Sequence, residues 1–251
     1  MIYSLTIAPA IDYSLNRGDK EIKIDATNRP TSDGYSVGGK GITVSRRLKN
    51  LRVKNTPIVA VGGGMGKRLK NIIDKEFDKI IYLSVIGETR LDVRITGPHT
   101  DTRFNPSAPK VTEKGRQKRY AYLKKNLKKG DIVILSGSVG QERKDLYAEL
   151  RKDIIEPSGA LTIVDTTGES LTSVFPYHPF RIKPNDEELG DLLGRERKTD
   201  EDILEGGREL KKKGPVSVLV TRGSKGAYYF AEDGHIYHCS NAHGKQISAV
   251  G

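Results

Sequence analysis

The chain has 251 residues, a formal net charge of +11 and a single cysteine, Cys239. This length suits one large domain with a substantial core, and the lone cysteine excludes an internal disulfide framework and favours a reducing cytoplasm. Its apolar runs are far shorter than the roughly 20 residues of a membrane span, and Asp12 falls where a secretory signal would be apolar. The positive charge favours acidic partners, namely phosphorylated metabolites, nucleic acid or an anionic membrane surface.

Short β-branched runs alternate with helical patterns along the chain. Predicted strands are 56–61, 79–86, 131–135, 161–165, 180–183 and 216–221, and predicted helices are 42–50, 67–77, 112–127, 143–155, 186–193 and 199–213. Strands that are apolar throughout are buried on both faces, as in a parallel sheet covered by helices. The sequence therefore predicts an α/β fold of three layers, with a mostly parallel sheet and helices on both faces.

Residues 16–35 break this rhythm. Apolar and charged residues alternate through 21–25, and Gly18, Pro30 and Gly34 punctuate the segment. This pattern predicts strands of a small polar sheet, inserted after the first core strand and able to act as a β-lid.

The stretch SVGGKGITVS at 36–45 places glycines around Lys40 directly before a helical pattern. Glycines let backbone N–H groups approach an anion, and the helix N-terminus adds partial positive charge. A phosphate cradle and a simple strand-to-helix turn both fit these ten residues.

Ligands of open parallel sheets bind beyond the carboxyl ends of the strands. The residues that follow the predicted strands are Asp12; Glu88, Thr89 and Arg90; Ser136, Gly137 and Ser138; Asp165, Thr166 and Gly168; Lys183, Asn185 and Glu188; and Thr221, Arg222, Gly223 and Gly226. Most are small, hydroxylated or cationic, which is typical of a phosphate-lined crevice.

Several motifs together carry a family resemblance. In chain order they are TIAPAID (6–12), GGKGITVSR (38–46), GETR (87–90), SGS (136–138), DTTG (165–168), KPNDEEL (183–189) and VTRGSKGA (220–227). Their types and order resemble the ribokinase-like sugar kinases of the phosphofructokinase B type. The similarity is greatest to the branch of 1-phosphofructokinase, tagatose-6-phosphate kinase and the minor 6-phosphofructokinase, and it runs the length of the chain.

The resemblance implies a cytoplasmic enzyme that uses ATP and magnesium to phosphorylate a ketohexose phosphate, giving a bisphosphate. Fructose 1-phosphate, fructose 6-phosphate and tagatose 6-phosphate all remain candidates. Asp12 would accept hydrogen bonds from sugar hydroxyls, and Lys40 and Arg90 would bind the sugar's phosphate, with Arg29 of the lid closing over it. The remaining implied sugar-binding residues are Gly38, Gly39, Thr43 and Ser138. The family's lid also implies a homodimer, and neither nucleic acid nor membrane is an expected partner.

On the nucleotide side, the resemblance assigns Asn185 and Glu188 to an N-x-x-E motif, in which Glu188 holds magnesium through water. Thr221, Gly223 and Gly226 would line the phosphate and ribose site, and Lys183 would help to neutralise the triphosphate.

The sequence departs from the family in several places. Ala8 and Thr43 replace asparagines, and Val139-Gly140-Gln141 replaces a proline-glycine turn. Gly251 aligns with the first glycine of the family's G-A-G-D motif, which supplies the anion hole and the base, so no catalytic base is assigned. We therefore expect residues 1–251 to be a ribokinase-like domain lacking its C-terminal part, hence a kinase fragment of uncertain activity. The alternative is a non-catalytic phosphosugar sensor.

Other interpretations of these residues need no ligand. Asn185 and Glu188 also form a capping box, Arg90 also fits an ion pair with Asp92, and the glycines at 62–66 fit a tight turn before a helix. The basic segment 114–129 fits a helix with Tyr120, Leu123 and Leu127 buried and its charges solvated.

One cluster near the end of the chain has residue types that bind zinc. It comprises His235, His238, Cys239 and His243. If 234–239 is a strand, His235 and His238 point to opposite faces, so an edge strand with exposed histidines is the better interpretation.

Overall fold

A computed structural model describes residues 1–196 and 199–241. By internal contacts the chain divides into two compact units. Unit 1 comprises Met1–Leu5, Tyr120–Val139 and the chain from Arg143 onward, and unit 2 comprises Thr6–Arg119 with Gly140–Glu142. Within the described residues, no helix combines the length and apolarity that a membrane crossing requires.

The elements follow one another in the α/β pattern that the sequence predicts. The strands are β1 (Ile2–Thr6), β2 (Ala10–Asn16), β3 (Ser32–Gly38), β4 (Asn55–Val61), β5 (Ile81–Ser84), β6 (Arg90–Gly97), β7 (Thr100–Phe104), β8 (Ile132–Ser136), β9 (Leu161–Asp165), β10 (Arg181–Ile182), β11 (Ser217–Thr221), β12 (Ala227–Phe230) and β13 (Ile236–Cys239). The helices are α1 (Lys40–Asn50), α2 (Gly63–Ile73), α3 (Glu113–Asn126), α4 (Leu146–Leu150), α5 (Gly168–Thr172), α6 (Asp186–Leu193) and α7 (Asp200–Lys212). A π-helical turn at Arg151–Ile155 extends α4, and 3-10 turns occupy Phe175–Tyr177 and Gly223–Lys225.

Unit 1 is built on a mostly parallel sheet. Strand β8 lies between β1 and β9, β10 joins β9 to β11, and the antiparallel strands β12 and β13 complete the order. Val133 and Leu135 of β8 are buried, as expected for a strand covered on both faces. Because parallel strands end at the same edge, this topology gathers the residues that follow β8, β9, β10 and β11.

Unit 2 contains the parallel pair β4 and β5 and a separate four-stranded sheet in the order β3-β2-β6-β7. One face of this small sheet is apolar. Ile11 of β2 and Val37 of β3 belong to one core cluster with Ile42 of α1 and Leu69 of α2, and Leu91 of β6 packs against it. Because side chains alternate along a strand, the residues between these positions lie on the opposite face.

The predicted fold class is confirmed: a mostly parallel sheet is flanked by helices, and a small sheet accompanies it. The predicted strand at 161–165 and the predicted helix at 186–193 have the observed ends. The other predicted elements are present with shifted ends, and the predicted helix 143–155 is α4 with its π-helical extension.

The prediction of strands within residues 21–25 is wrong. Residues 17–31 form no strand, and local hydrogen bonds hold them instead. The Arg17 guanidinium donates to the carbonyls of Arg29 and Glu21 at 2.7 and 3.1 Å, and the Asn28 amide donates to the Lys23 carbonyl at 2.7 Å. Besides β2, the small sheet is formed by β3 at Ser32–Gly38 and by β6 and β7, which come later in the chain. A single domain over 1–251, with 16–35 contributing to a lid, stays a prediction.

The basic helix α3 matches its prediction only in part. Leu123 and Leu127 are buried as expected, but Tyr120 is only half-buried and its hydroxyl donates to the Glu149 carboxylate. Arg119, expected among the solvated charges, is buried at 1% exposure. It lies four residues before Leu123 and therefore shares the buried face of the helix.

The packing of Gly207 in α7 gives a test of the unit 1 core. A Cβ at Gly207 would lie 2.1 Å from the Phe230 ring, and that ring is buried. We therefore expect Gly207→Ala to lower the free energy of unfolding by about 1–3 kcal/mol through overpacking, despite alanine's better helix propensity. Urea denaturation measures this change.

Gly64 in α2 provides the matched control, because its nearest neighbours to a new Cβ are 4.0 Å away. Gly64→Ala should leave stability unchanged or slightly raised. A Gly207→Ala protein as stable as wild type would contradict the packing described here.

Candidate active site

The face of the small sheet opposite the core carries charged residues, and we call it the polar face: Asp12, Ser36, Gly38, Arg90 and Asp92. Strand register defines it. Asp12 of β2 pairs with Ser36 of β3 and with Asp92 of β6, and Ala10 of β2 pairs with Gly38 and Arg90. Residues in register on neighbouring strands point to the same side of a sheet. Two carboxylates and a guanidinium are thereby placed side by side.

Arg90 is held from several directions. Its Nη2 donates to the carbonyl of Ala8 at 3.3 Å, its Nη1 donates to the carbonyl of Pro106 at 3.5 Å, and Nη2 lies 3.4 Å from Oδ2 of Asp92. The ion pair with Asp92 considered from the sequence is therefore present, but it is largely buried, with side-chain exposures of 21% and 14%. All of these Nη contacts are long, so the guanidinium can still turn its donors to an anion.

The Asp12 carboxylate is half-buried. Burial raises the pKa of Asp12, and the positive charges of Arg90, Arg103 and Arg46 oppose the rise. A Cβ at Gly38 would lie only 2.4 Å from Oδ2 of Asp12, so only glycine lets the end of β3 approach the carboxylate this closely. The sequence-predicted pair Asp12 and Gly38 is thus in contact.

Helix α1 begins two residues after Gly38. Gly39 is its N-cap with a φ of 133°, Lys40 is its first residue, and the first turn contains no acidic side chain. As a glycine, this N-cap residue has no side chain with which to accept a hydrogen bond from the N-terminal amides. Lys40 is exposed and Thr43 is half-buried one turn later. The structure thus places glycines and a lysine at the start of a helix, where the helix dipole favours an anion, and the phosphate cradle stays a prediction.

Arg29 and Ser138 are the remaining residues that the family resemblance assigns to the sugar. Arg29 is exposed and its carbonyl accepts the hydrogen bond from Arg17 described above. Ser138 belongs to unit 1, where it is exposed two residues after β8.

In unit 1, the carboxyl ends of the strands bring together a second set of predicted residues. The Lys183 Nζ lies 3.4 Å from Oδ1 of Asp165. Gly137 donates its N–H to the Asp165 carbonyl at 2.9 Å and accepts from the Thr166 hydroxyl at 2.9 Å. The turn after β8 is therefore fixed against the end of β9, beside a lysine.

Asn185 and Glu188 form the capping box that the sequence allows. The Asn185 side chain accepts from the Glu188 N–H at 2.7 Å, and the Glu188 Oε2 accepts from the Asn185 N–H at 2.9 Å. Thr221 lies beside them, since it forms a parallel bridge with Asn185 and donates its N–H to the Pro184 carbonyl at 3.1 Å. Asn185, Glu188 and Thr221 are thus adjacent, as the motif comparison implies.

The two predicted nucleotide glycines have different surroundings. Gly223 has a φ of 52°, and a Cβ there would meet open space. Gly226 has a φ of 86°, and a Cβ there would lie 2.0 Å from the Cys239 carbonyl. The backbone conformation therefore favours glycine at both positions, but at Gly226 the approach of β13 is a sufficient reason by itself.

Glu88 has a role that sequence reasoning missed. Its carboxylate accepts from the N–H groups of Gly64 and Met65 at 3.0 Å each, and so caps α2 from a distant segment. These backbone hydrogen bonds lower the pKa of Glu88. Of the glycines predicted to form a turn, only Gly62 precedes the helix; Gly63, with a φ of 66°, is its first residue, and Gly64 and Gly66 follow within it. Nothing local in the sequence links Glu88 to α2.

The sequence motifs suggest only an ion-pair role for Asp92. Its place beside Arg90 can be predicted from the sequence RLDVRI at 90–95. Polar and apolar residues alternate there, which puts Arg90 and Asp92 on the same face of a strand.

The cysteine and histidines near β13 show separate contacts. The His238 ring packs on Tyr228 with centroids 4.5 Å apart, His235 Nδ1 lies 3.1 Å from Asp233, and Cys239 is exposed. Within residues 1–196 and 199–241, no three His, Cys, Asp or Glu side chains are grouped as metal ligands. His243 lies outside the described residues.

Comparison with known proteins identifies the family. The description "pfkB family carbohydrate kinase" matches residues 1–251, so the chain belongs to this family. The 1-phosphofructokinase of Bacillus subtilis is 30% identical over all of this chain and 81% of its own length. The D-tagatose-1-phosphate kinase of Bacillus licheniformis is 29% identical over 91% of this chain and 74% of its own.

The fold comparison agrees. Phosphofructokinase-2 of Escherichia coli, solved in complex with potassium, matches all of this chain and 81% of its own with a TM-score of 0.86 and 25% identity. The relatives' names denote phosphotransferases that act on an alcohol group, and this chain is a kinase of that class.

The Glu88 cap predicts a pH-dependent contribution to stability. A carboxyl whose pKa is lowered on folding stabilises the protein above its unfolded pKa, and this effect is lost as the pH falls through the folded pKa. We expect Glu88→Ala to lower the melting temperature at pH 7, with the difference from wild type shrinking at acidic pH. Thermal denaturation between pH 7 and pH 3 measures it.

Glu88→Gln is the matched control, because it keeps an acceptor but cannot titrate. It should lose less stability than Glu88→Ala, and its own difference from alanine should not change with pH. A pH-independent deficit in Glu88→Ala would contradict a capping role for the charge.

Proposed function

We propose that the chain is a phosphosugar kinase that uses ATP and magnesium to convert a ketohexose phosphate to the bisphosphate. The observation that carries the proposal is the polar face of unit 2, where Arg90 and Asp12 lie beside the glycine-rich start of α1. The names of the relatives support fructose 1-phosphate or a tagatose phosphate as the substrate class. Fructose 6-phosphate remains a further candidate.

The sugar half-site (Asp12, Gly38, Gly39, Lys40 and Arg90) has groups for each part of this ligand. The phosphate would be bound by the fork of the guanidinium, by the lysine and by the amides that begin α1. A carboxylate accepts hydrogen bonds only, so Asp12 suits a sugar hydroxyl and not a second phosphate. In this proposal Thr43, Arg29 and Ser138 are further sugar contacts.

The nucleotide half-site (Lys183, Asn185, Glu188 and Thr221) would hold ATP at the carboxyl-end edge of unit 1, with Gly223 and Gly226 near the phosphates and ribose. Glu188 fits a magnesium ion bound through water, because the capping box uses its Oε2 and leaves Oε1 as a further acceptor. The ion would neutralise phosphate charge, and Lys183 would add to this.

Phosphoryl transfer depends mainly on positioning and on neutralising charge. We assign no general base among the described residues. A phosphosugar sensor that binds without transfer is the second candidate, because the polar face supports binding by itself. Release of ADP by the chain, in the presence of a sugar phosphate, separates the two.

We also propose a cytoplasmic homodimer that associates through the small sheet, without nucleic acid or membrane as a partner. The support is an aromatic group at the exposed part of the sheet's apolar face. Tyr13 and Tyr35 stack with centroids 4.3 Å apart, the Arg68 guanidinium lies 3.9 Å over Tyr35, and Phe104 is 57% exposed. Sedimentation velocity would show a monomer if this part of the proposal is wrong.

The Arg90→Ala variant tests the phosphate assignment. Loss of a charged hydrogen-bonding group should weaken binding of fructose 1-phosphate by about 1.5–3 kcal/mol, which is roughly a 10- to 150-fold increase in Kd. Isothermal titration calorimetry with each candidate sugar phosphate measures the change without requiring turnover.

Arg94→Ala is the control, because Arg94 lies four residues beyond Arg90 on the same face of β6 but donates from Nε and Nη2 to the two oxygens of Asp101, at 2.8 Å each. It should bind the sugar phosphate like wild type. Unchanged affinity in Arg90→Ala would remove Arg90 from the phosphate site.

Glu188→Gln separates the capping role from the magnesium role. Glutamine also serves at this position of a capping box, so the melting temperature should stay near that of wild type while magnesium-dependent ATP binding falls severalfold. Asn185→Ala, the companion variant, should lose about 1 kcal/mol of stability with its cap. Calorimetric titration with ATP, with and without magnesium, measures this effect. If ATP binding depends equally on magnesium in wild type and in Glu188→Gln, Glu188 does not hold the ion.

A further inference from the structure

Asp92 has a buried oxygen that nothing in the described structure satisfies. Its Oδ1 is fully buried and has no hydrogen-bond partner among the described residues, while its Oδ2 makes only the 3.4 Å contact with Arg90. Buried acceptors without a partner are rare in folded proteins, and each one costs stability. The position of Asp92 therefore requires a reason beyond folding.

The neighbour of Asp92 makes this cost greater. Asp12 is its register partner on the adjacent parallel strand, so two carboxylates lie side by side on one face. Burial raises the pKa of Asp92, Arg90 lowers it, and the Asp12 charge raises it further. Like charges directly opposite each other destabilise a sheet, and such arrangements are typical of functional sites.

Arg90 does not account for the arrangement by itself. A guanidinium that served only to neutralise Asp92 would form a short fork of about 2.7–2.9 Å with both oxygens. Here the contact involves one oxygen at 3.4 Å, and Nε of Arg90 is itself buried without a hydrogen-bond partner in the described residues. Both groups thus retain unused capacity of opposite kinds, an acceptor on Asp92 and a donor on Arg90.

A phosphorylated sugar has the complementary groups. Its hydroxyls donate hydrogen bonds to carboxylates, and its phosphate accepts them from a guanidinium. Adjacent strands are separated by about 4.8 Å, so carboxylates on β2 and β6 can each meet a different hydroxyl of one small ligand. Free inorganic phosphate at pH 7.5 offers mainly acceptors, and two carboxylates near Arg90 repel it.

We propose that the Asp92 carboxylate binds a sugar hydroxyl beside Asp12 and makes the site selective for phosphorylated sugars over inorganic phosphate. This inference rests on the proposed function and assigns a specificity-determining residue to it. The negative charge of Asp92 disfavours inorganic phosphate, which Arg90 and the α1 N-terminus would otherwise bind.

Calorimetric titration at pH 7.5 tests the inference with two probes, fructose 1-phosphate and inorganic phosphate. For Asp92→Ala we expect the Kd for fructose 1-phosphate to rise about tenfold or more, because a charged hydrogen bond is lost. The Kd for inorganic phosphate should stay unchanged or fall, since one repelling charge is removed. Selectivity, the ratio of the two constants, should therefore decrease by at least the same factor.

Two further variants separate the effect of the Asp92 charge from a loss of packing and from a general loss of negative charge. Asp92→Asn preserves the shape of the side chain and should also lose selectivity, while its melting temperature should equal or exceed that of wild type because a like-charge pair is removed. Asp101→Asn is the control, since Asp101 is an exposed carboxylate of the same sheet that pairs with Arg94. It should keep wild-type selectivity.

The outcomes are distinguishable. Equal weakening of both probes in Asp92→Ala and Asp92→Asn would mean that Asp92 only orients Arg90, and would overturn the inference. Unchanged fructose 1-phosphate affinity in both variants would also overturn it, with the proposed function intact. If folded wild-type protein binds none of the candidate sugar phosphates, the proposed function and the inference fail together.

Discussion

Packing of Ile11, Val37 and Leu91 against the helices of unit 2 forces the residues between them onto the other face of the small sheet. A strand alternates its side chains, so a slip of one residue would place Asp12 in the core and an apolar residue in the site. The same hydrophobic packing that stabilises unit 2 thereby fixes the relative positions of Asp12, Arg90 and Asp92. Two carboxylates that repel each other, Asp12 and Asp92, are held side by side by the apolar face behind them.

The junction between β3 and α1 depends on the same sheet. Gly38 must be glycine because the Asp12 carboxylate occupies the space of a side chain, and Gly39 then turns the chain into the helix with a φ that favours glycine. The glycines seen in the sequence thus have two physical causes, a close approach and a turn. Together they bring the start of α1 next to the polar face without adding side chains of their own at positions 38 and 39.

The sequence was informative where a pattern is local and strong. The continuous apolar runs predicted the strands of unit 1, and the box of Asn185 and Glu188 predicted the start of α6. It was misleading at residues 21–25, where an alternating pattern is outweighed by the hydrogen bonds of Arg17 and Asn28. Arg119 shows the same limit, because its burial depends on tertiary packing that the charge pattern does not reveal.

The candidate site also contains residues that the sequence predicts and contacts that it does not. Arg90, Asp12 and the glycines were predictable because short motifs carry them, whereas the cap by Glu88 joins segments more than twenty residues apart in the sequence. The partnership of Asp12 and Asp92 follows from a parallel register between β2 and β6 that no short motif encodes. Long-range pairing, not residue type, is what sequence reasoning lacked.

A crystal structure of the chain with fructose 1-phosphate tests the central claim most directly. The account predicts the phosphate within hydrogen-bonding distance of the Arg90 guanidinium and of the amides at the start of α1, with separate hydroxyls on Asp12 and Asp92. A sugar phosphate bound elsewhere, with the polar face in contact only with solvent, would contradict it.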